Sequence, residues 1–534
     1  MRKSQRFRLL LSNGYFPAEL PPPFCTESLA KFREAVSTSW SNVSQTYPAT
    51  TYETFTIPHP TGLRRTLAIV NPIAQLPLCK LLSDNWNVIS RHLKRKSYSI
   101  DVPLISANTD RSIPSPNFAL SAQSKSEIFS RYDYALISDI SRFYGTLYTH
   151  AIPWALHGKS WCKTNLRKAA YRHCLGSYLD TAIRKGQDNQ SVGIPIGPDT
   201  SRIISEIIGV SIDTIVQRSK KLSSGQAFRQ IDDWFIGFDS ISDAESAIAT
   251  LSIACREFEL ELNAGKTKVQ QSSSSIDNPW PEELRRFSVE FRQHNSKQSL
   301  DHHFSKSFNY LEEFPQQNVL DFAIKQTWNV HISEEVWPTY EMHLLRSGRA
   351  SPLAIPSVVQ TFSNYHERDY PINEERVMKF IQDVICKNAP LAHHAEVSWA
   401  LFLAKTLMMK IPRSAAQAVS QMNSSVCALL ALDLESNGQI VGNLDKRMWR
   451  AHMSPDGLES NMWLLAYEAQ VKGWMRSQFG DYVSANLYFG ELKRRQVSFY
   501  GTQRKVQSIK KVPMFPRPIS PGVNMAQSMF GLDW

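Results

Sequence analysis

The chain has 534 residues, a length that accommodates roughly two to four domains. Apolar residues make up 42% of the chain and charged residues 20%, so a disordered polypeptide is excluded. The chain carries 60 Lys and Arg against 49 Asp and Glu, a formal net charge of +11. This basic balance favours a polyanionic partner, most simply nucleic acid.

The sequence also disfavours a membrane protein, a secreted protein and a zinc-finger protein. No run approaches the roughly 18 apolar residues of a membrane helix, and Leu9-Leu10-Leu11 is too short for the apolar core of a signal peptide. The seven cysteines are scattered and odd in number, and none forms a CxxC pair. We therefore expect a reducing, cytoplasmic environment and no membrane partner.

Four regions of the chain differ in composition and in predicted secondary structure. We expect an aromatic, proline-punctuated N-terminal extension over residues 1–50 and an α+β region of short strands and helices over 51–290. Apolar spacing of three and four residues predicts an almost all-helical region over 291–490. A basic tail over 491–534 completes the chain.

One acidic residue follows a predicted strand. Residues 134–138 are typical of a buried strand, and Asp139 comes directly after them. An acid at the end of a core strand can take part in chemistry or can cap the next helix. The residues alone leave both interpretations open.

The strongest local signal is the pair Asp232-Asp233, which has β-prone runs on both sides. This pattern predicts a hairpin with its turn at the acids. Buried neighbouring carboxylates repel each other unless a cation neutralises them. Together with Asp139 they would suit two Mg²⁺ ions about 3.5–4 Å apart. An ordinary exposed Asp-Asp turn is the competing interpretation.

Two further segments complete the pattern. Residues 190–202 carry glycines, among them Gly197, that let backbone approach a ligand closely. Residues 242–245 are typical of a capping box that opens a helix. The turn at 263–267 carries Lys266, which could lie near a triphosphate. A plain loop and a solvated lysine explain these segments when each is taken alone.

In chain order, these segments resemble the motifs of reverse transcriptases. Motifs A, B, C and D are matched in turn by Asp139 with its strand, the Gly197 loop, the Asp232-Asp233 hairpin and the Lys266 turn. Residues 63–72 resemble the fingers motif, whose basic residues grip the incoming triphosphate.

The residues of these motifs are similar to those of one branch, the bacterial abortive-infection and antiphage-defence reverse transcriptases. Residues 139–157 and 193–202 carry this likeness, and segments 396–401 and 463–469 resemble that branch's α-helical repeat domain. The resemblance covers about residues 50–475. It implies an α+β fold with reverse transcriptase palm and fingers, followed by an all-α helical repeat domain in place of a thumb.

The resemblance also implies an activity: DNA synthesis from dNTPs in antiphage defence, in the bacterial cytoplasm. Its cofactors would be two Mg²⁺ ions, which Mn²⁺ could replace, and its partners a noncoding RNA, the DNA product and further copies of the chain. Untemplated synthesis is equally compatible. The implied catalytic residues are Asp139, Asp232, Asp233 and Lys266, of which the three acids bind metal; the implied substrate contacts are Arg64, Arg65, Tyr144, Gly197 and Gln230.

Two positions depart from the usual reverse transcriptase pattern. Gln230 stands where most members have tyrosine, and Ile196 stands where retroelement enzymes usually have glutamine. Both departures favour relaxed handling of primer and template, and members of this branch are associated with DNA begun on the protein itself. Candidate priming hydroxyls are those of Tyr15, Tyr47, Tyr52 and Tyr500. A nucleic-acid 3′-end is the alternative primer.

The tail is predicted to bind RNA, because no acid lies between Leu492 and Leu532. Its expected phosphate contacts are Lys493, Arg494, Arg495, Arg504, Lys505, Lys510, Lys511 and Arg517, with Phe499, Tyr500 and Phe515 as stacking rings. A solubilising flexible tail is the alternative.

Two other functions remain open. A mobile-element reverse transcriptase that copies its own RNA is disfavoured by Ile196 and by the helical half. A non-catalytic RNA-binding scaffold is disfavoured because all three acids are present.

Overall fold

The computed structural model describes residues 1–43, 47–219, 226–273, 278–288, 291 and 296–509. Six strands lie in this part of the chain: β1 (Glu53–Pro58), β2 (Arg64–Ile69), β3 (Tyr134–Asp139), β4 (Ala227–Gln230), β5 (Asp233–Phe238) and β6 (Lys268–Gln271). The first two form an antiparallel hairpin. The other four form one sheet in the order β4-β5-β3-β6, with every pair antiparallel.

Helices surround the strands and make up nearly all of the regular structure after β6. Those before residue 291 are α1 (Lys3–Ser12), α2 (Glu27–Val43), α3 (Pro72–Asp84), α4 (Trp86–Leu93), α5 (Phe118–Phe129), α6 (Phe143–Thr146), α7 (Ala151–His157), α8 (Lys159–Asn165), α9 (Ala169–Arg172), α10 (Leu175–Lys185), α11 (Asp199–Arg218), α12 (Ile241–Arg256) and α13 (Trp280–Arg285).

The later helices are α14 (Lys297–Glu313), α15 (Val319–Thr327), α16 (Trp337–Ala350), α17 (Ile355–His366), α18 (Glu374–Asn388), α19 (His394–Thr406), α20 (Arg413–Ser420), α21 (Ser425–Ser436), α22 (Arg447–Arg450), α23 (Trp463–Val471), α24 (Tyr482–Ala485) and α25 (Phe489–Arg494). A mixed α/β region followed by an all-helical one is therefore confirmed. The expected boundary near 290 falls beside residues outside the described part.

Side-chain caps fix where several helices begin. Asn71 accepts a hydrogen bond from the Ile73 amide at the start of α3. At α12 the cap is Ser240, whose hydroxyl accepts from the Asp243 amide at 3.1 Å. The capping box predicted at 242–245 is therefore wrong by two residues, because the helix already starts at Ile241.

The helical half packs directly on the β1–β2 hairpin. Trp463 is fully buried and donates its indole N–H to the Ile69 carbonyl at 3.1 Å. The Ser425 amide donates to the Glu53 carboxylate at 2.7 Å, and the Thr56 amide donates to Nδ1 of His394 at 3.3 Å. One cluster of buried apolar side chains consequently runs through the extension, the hairpin and the helical half.

The two ends of the described chain also meet. Phe24 forms an antiparallel bridge with Tyr500, and the Cys25 amide donates to the Phe499 carbonyl at 3.0 Å. Phe499 and Tyr500 are buried in the core. The basic tail therefore does not begin at residue 491, because residues up to 500 are needed to close that core.

In the part of the chain that is described, every helix is too short or too polar to cross a membrane.

Candidate active site

The strand register brings the three predicted acids to one edge of the four-stranded sheet. Asp139, the last residue of β3, is the cross-strand partner of Asp233, the first residue of β5. The β4–β5 hairpin turns through Ile231 and Asp232, which confirms the predicted hairpin and places Asp232 beside this pair.

The three carboxylates form an acidic cluster in which burial and neighbouring negative charge oppose ionisation. Burial, followed by the charges of Asp233 and Asp139, raises the pKa of Asp232 to about 8, and its carboxyl group is hydrogen-bonded to that of Asp139. Desolvation and the Asp139 charge also raise the pKa of Asp233. A group of acids held at this cost attracts positive charge.

Lys266 supplies one positive charge to the cluster. Its Nζ lies 2.6 Å from Oδ2 of Asp139, and this contact raises the pKa of Lys266. The turn is held in place because the Asn263 amide donates to the Asp139 carbonyl at 2.7 Å. Helix capping by Asp139 is excluded, since the next helix starts after Arg142 without a side-chain cap.

The donor set fits a divalent cation. Three carboxylates are hard oxygen ligands of the kind that Mg²⁺ and Mn²⁺ prefer, and burial together with the neighbouring carboxylates raises the pKa of Asp232. Among the described residues, however, no three His, Cys, Asp or Glu side chains are arranged as they stand to hold a metal ion. A cation at Asp139 would require the Lys266 side chain to move, which its 67% exposure allows.

Arg229 is a residue that sequence reasoning missed. Ile231 adopts φ of +60°, a left-handed conformation that β-branched residues rarely take. The buried Arg229 guanidinium donates to the Ile231 carbonyl at 2.6 Å and forms forked ion pairs with Glu206 and Asp213. It therefore holds the strained turn that presents Asp232.

Tyr144 lies close enough to Asp232 to feel its charge, and its substrate contact stays a prediction. Burial raises the pKa of Tyr144 to about 12, and the charge of Asp232 contributes to this shift. Its ring packs edge-on against Phe143, and the Ser205 hydroxyl donates to its hydroxyl oxygen at 3.2 Å. The ring is therefore fixed near the Asp232 turn.

The two predicted triphosphate arginines have different surroundings. Arg64 forms a bidentate ion pair with the buried Glu396 of the helical half, with Nη2–Oε2 at 2.9 Å, and its substrate contact stays a prediction. Arg65 is exposed and has no ion pair within the described chain. Burial and the charges of Arg65 and Lys266 lower the pKa of His59, which places the hairpin tip near the Lys266 turn.

Gly197 and Gln230 are already engaged by other parts of the chain. Gly197 has φ of +124°, and a Cβ there would lie 2.7 Å from the Pro17 ring, so the N-terminal extension covers it. Its predicted substrate contact stays a prediction. Gln230 donates its amide to Asp101 at 2.6 Å. Its predicted role beside the primer stays a prediction.

The described basic residues after 491 all have acidic partners. Lys493 pairs with Asp481, Arg494 and Arg495 with Glu491, Arg504 with Glu27, and Lys505 with Glu367. Phe499 and Tyr500 are buried, so their predicted stacking on bases is wrong. Lys510, Lys511, Phe515 and Arg517 lie outside the described residues.

Two of the four candidate priming tyrosines are inaccessible. Tyr15 is buried and donates its hydroxyl to the Val70 carbonyl at 2.6 Å. Tyr500 is buried and donates to Asp433 at 2.7 Å. The suggestion that either one primes synthesis is therefore wrong. Tyr47 and Tyr52 are partly exposed and stay candidates.

Comparisons with known proteins give a distant structural likeness. No protein-family profile and no curated protein sequence matches the chain. Among solved structures, it is similar to apo telomerase from Candida tropicalis, with a TM-score of 0.32 and 13% identity over 74% of this chain and 72% of that one. At this distance, function has to be derived from the site itself.

Proposed function

We propose that the protein is a nucleotidyl transferase of the reverse transcriptase type, which synthesises DNA from dNTPs in antiphage defence. The observation that carries the proposal is the register of β3 and β5, which sets Asp139 opposite Asp233 with Asp232 in the adjoining turn. In this proposal the four-stranded sheet is the palm, the β1–β2 hairpin belongs to the fingers, and the helical half replaces a thumb.

Each side chain of the site has a distinct task in the proposed reaction. Asp139, Asp232 and Asp233 would hold Mg²⁺ or Mn²⁺, which when bound would activate the attacking hydroxyl and stabilise the leaving pyrophosphate. Arg65 at the hairpin tip, without an ion pair in the described chain, offers its guanidinium to the triphosphate. Lys266, released from Asp139 when a cation binds there, would neutralise phosphate charge or donate a proton.

The partners follow from the sequence resemblance and belong to the proposal. They are dNTPs, a noncoding RNA template where synthesis is templated, the DNA product and other copies of this chain. Tyr47 and Tyr52 remain the candidate protein primers. The defence role rests on the likeness of residues 139–157 and 193–202 to abortive-infection enzymes.

The direct test is incorporation of labelled dNTPs by the purified protein, with and without prior ribonuclease treatment. We expect synthesis that requires Mg²⁺ or Mn²⁺ and falls at least a hundredfold in Asp232→Asn. Asp133→Asn is the matched control, because Asp133 is exposed just before the opposite end of β3. Equal synthesis by Asp232→Asn and wild type would contradict the proposal.

The same gels test priming and the defence role. Label that stays with the protein on denaturation and is released by protease indicates protein priming, whereas label released by denaturation alone excludes it. Protection of a bacterial host against phage should disappear with Asp232→Asn but persist with Asp133→Asn. Protection that survives the Asp232 change would contradict catalysis in defence.

A non-catalytic RNA-binding scaffold is the second candidate. The ion pair between Lys266 and Asp139 favours it, because an internal cation already neutralises one of the three acids. Under this alternative, Lys266→Ala leaves RNA binding intact and no divalent ion supports synthesis.

A further inference from the structure

The stretch from Ile140 to Leu179 contains no Asp or Glu. Its six Lys and Arg residues are Arg142, Lys159, Lys163, Arg167, Lys168 and Arg172. The last five lie on α8, on α9 and in the turn between them. A local excess of this size produces a positive field that attracts polyanions.

Four of these cations face solvent, although one Arg172 guanidinium nitrogen donates to the Arg167 carbonyl at 2.9 Å. Lys163, Arg167, Lys168 and Arg172 are exposed, and none has an acidic partner among the described residues. The basic residues after 491 differ in this respect, since all five that are described are paired with acids. An unpaired surface cation can neutralise a phosphate without first breaking an ion pair.

Exposed aromatic rings lie on α8, which carries Lys163, and on α10, which follows α9. Trp161 on α8 is 38% exposed and Tyr178 on α10 is 44% exposed. The Tyr178 hydroxyl lies 2.8 Å from Nδ1 of His173, a contact that helps to hold the ring in place. Exposed rings beside unpaired cations are the combination by which proteins bind single strands, because bases stack on the rings while cations follow the phosphates.

This surface is connected to the acidic cluster. Lys159, at the start of α8, donates to the Glu257 carbonyl at 2.7 Å and pairs with Glu259 at 3.1 Å. The same segment continues to Glu261, whose carbonyl accepts from the Ser141 amide, two residues after Asp139. A nucleic-acid strand bound at α8 would therefore lie next to the 257–261 segment, which adjoins the acidic cluster.

We propose that the exposed face of α8, α9 and the start of α10, termed here the basic helical surface, binds single-stranded nucleic acid. Lys163, Arg167, Lys168 and Arg172 contact the phosphates, and Trp161 and Tyr178 stack on the bases. This interaction goes beyond nucleotidyl transfer, because binding needs neither metal nor catalysis.

The test is fluorescence anisotropy with labelled poly(dT) and poly(U) of about 20 nucleotides, measured in EDTA at several salt concentrations. Two variants carry the same loss of charge. In the first, the four cations of the surface become Gln: Lys163→Gln, Arg167→Gln, Lys168→Gln and Arg172→Gln. In the second, four dispersed exposed cations become Gln: Arg8→Gln, Lys31→Gln, Lys410→Gln and Arg450→Gln.

We expect the first variant to lose at least tenfold in affinity and to reduce the salt slope by up to about 3, since each phosphate contact on a single strand contributes about 0.7. The dispersed variant should stay within about threefold of wild type. Trp161→Ala with Tyr178→Ala should lose about tenfold in affinity with an unchanged salt slope. Thermal melting of each variant verifies that the exposed substitutions leave the fold intact.

Equal losses in the two charge variants would overturn the proposal, since net charge alone would then explain binding. Preferential binding to vesicles of phosphatidylcholine and phosphatidylserine would also overturn it. Asp232→Asn should bind oligonucleotides like wild type. Failure of synthesis with intact binding would therefore remove the proposed function alone, and unchanged binding in the surface variant would remove this inference alone.

Discussion

At the scale of single residues, the acidic turn depends on a side chain outside it. Ile231 pays a steric cost in the left-handed region, and Arg229 is the buried group that donates to its carbonyl. Arg229 also neutralises Glu206 and Asp213 in the core. The geometry of Asp232 is thus tied to a buried ion cluster.

Arg229→Lys should disturb both stability and synthesis. A lysine keeps the charge but cannot form the bidentate ion pairs of a guanidinium. Glu206 and Asp213 are then incompletely paired, which should lower the free energy of unfolding by about 2–4 kcal/mol. Urea unfolding should report this loss, and the rate of dNTP incorporation should fall at least tenfold in samples that are still folded. Wild-type rates in the folded variant would show that the turn does not need Arg229.

Tyr144 should select the sugar of the incoming nucleotide. In the proposed function the incoming sugar lies beside this fixed ring, which would clash with a ribose 2′-hydroxyl, so wild type should use dNTPs in preference to ribonucleotides. Tyr144→Ala should admit ribonucleotides, whereas Tyr144→Phe retains the ring and should retain the selectivity. Competing the two nucleotide types in one reaction measures the ratio. A wild-type preference for ribonucleotides would refute this role.

At the scale of elements, the hairpin and the helical half share a buried carboxyl group. Burial raises the pKa of Glu53 to about 7, against 4.5 when it is exposed, and Ser425 is its backbone partner. A raised pKa means that its stability contribution is complete below about pH 4.5 and is lost as pH rises through about 7. The junction should therefore weaken as pH rises from about 4.5 to about 7 and stay weakened above that.

Glu53→Gln should remove this pH dependence. Between pH 5 and 8, wild type should lose on the order of 3 kcal/mol of unfolding free energy that the variant retains. Denaturant unfolding at both pH values measures the difference, with the exposed Glu335→Gln as control. The same pH dependence in Glu53→Gln as in wild type would show that another group is responsible.

Sequence patterns predict a structural element correctly where neighbouring residues determine it. The apolar run before Asp139 and the β-prone residues flanking Asp232 specify a strand and a hairpin without reference to distant residues. The ion pair of Arg64 could not be predicted, since its partner Glu396 lies 332 positions away in the sequence. Likewise, nothing in the sequence near Gly197 indicates that Pro17 packs against it.

At the scale of the whole molecule, the chain ends stabilise each other. Residues 23–25 pair with residues 499–501, and Tyr500 donates to Asp433, which is also paired with Lys405 at 2.8 Å. Composition alone describes this C-terminal segment as basic and polar. Its buried Val497, Phe499 and Tyr500 instead make it part of the core.

Two truncations distinguish the core segment from the residues beyond it. Ending the chain after Glu491 removes the buried side chains of Leu492, Val497, Phe499, Tyr500 and Ile509, and should lower Tm by many degrees or prevent folding. Ending it after Ile509 retains every described contact and should leave Tm within a few degrees of wild type. Differential scanning calorimetry on both proteins measures this, and equal Tm values would contradict the packing of residues 497–500.

The central claim is that Asp139, Asp232 and Asp233 form a site for a catalytic divalent cation. Mn²⁺ binding to the metal-free protein, followed by electron paramagnetic resonance with Mg²⁺ as competitor, tests it most directly. We predict saturable binding in wild type and in Asp133→Asn, and affinity at least tenfold weaker in Asp232→Asn. Equal Mn²⁺ affinity in all three proteins would contradict the claim.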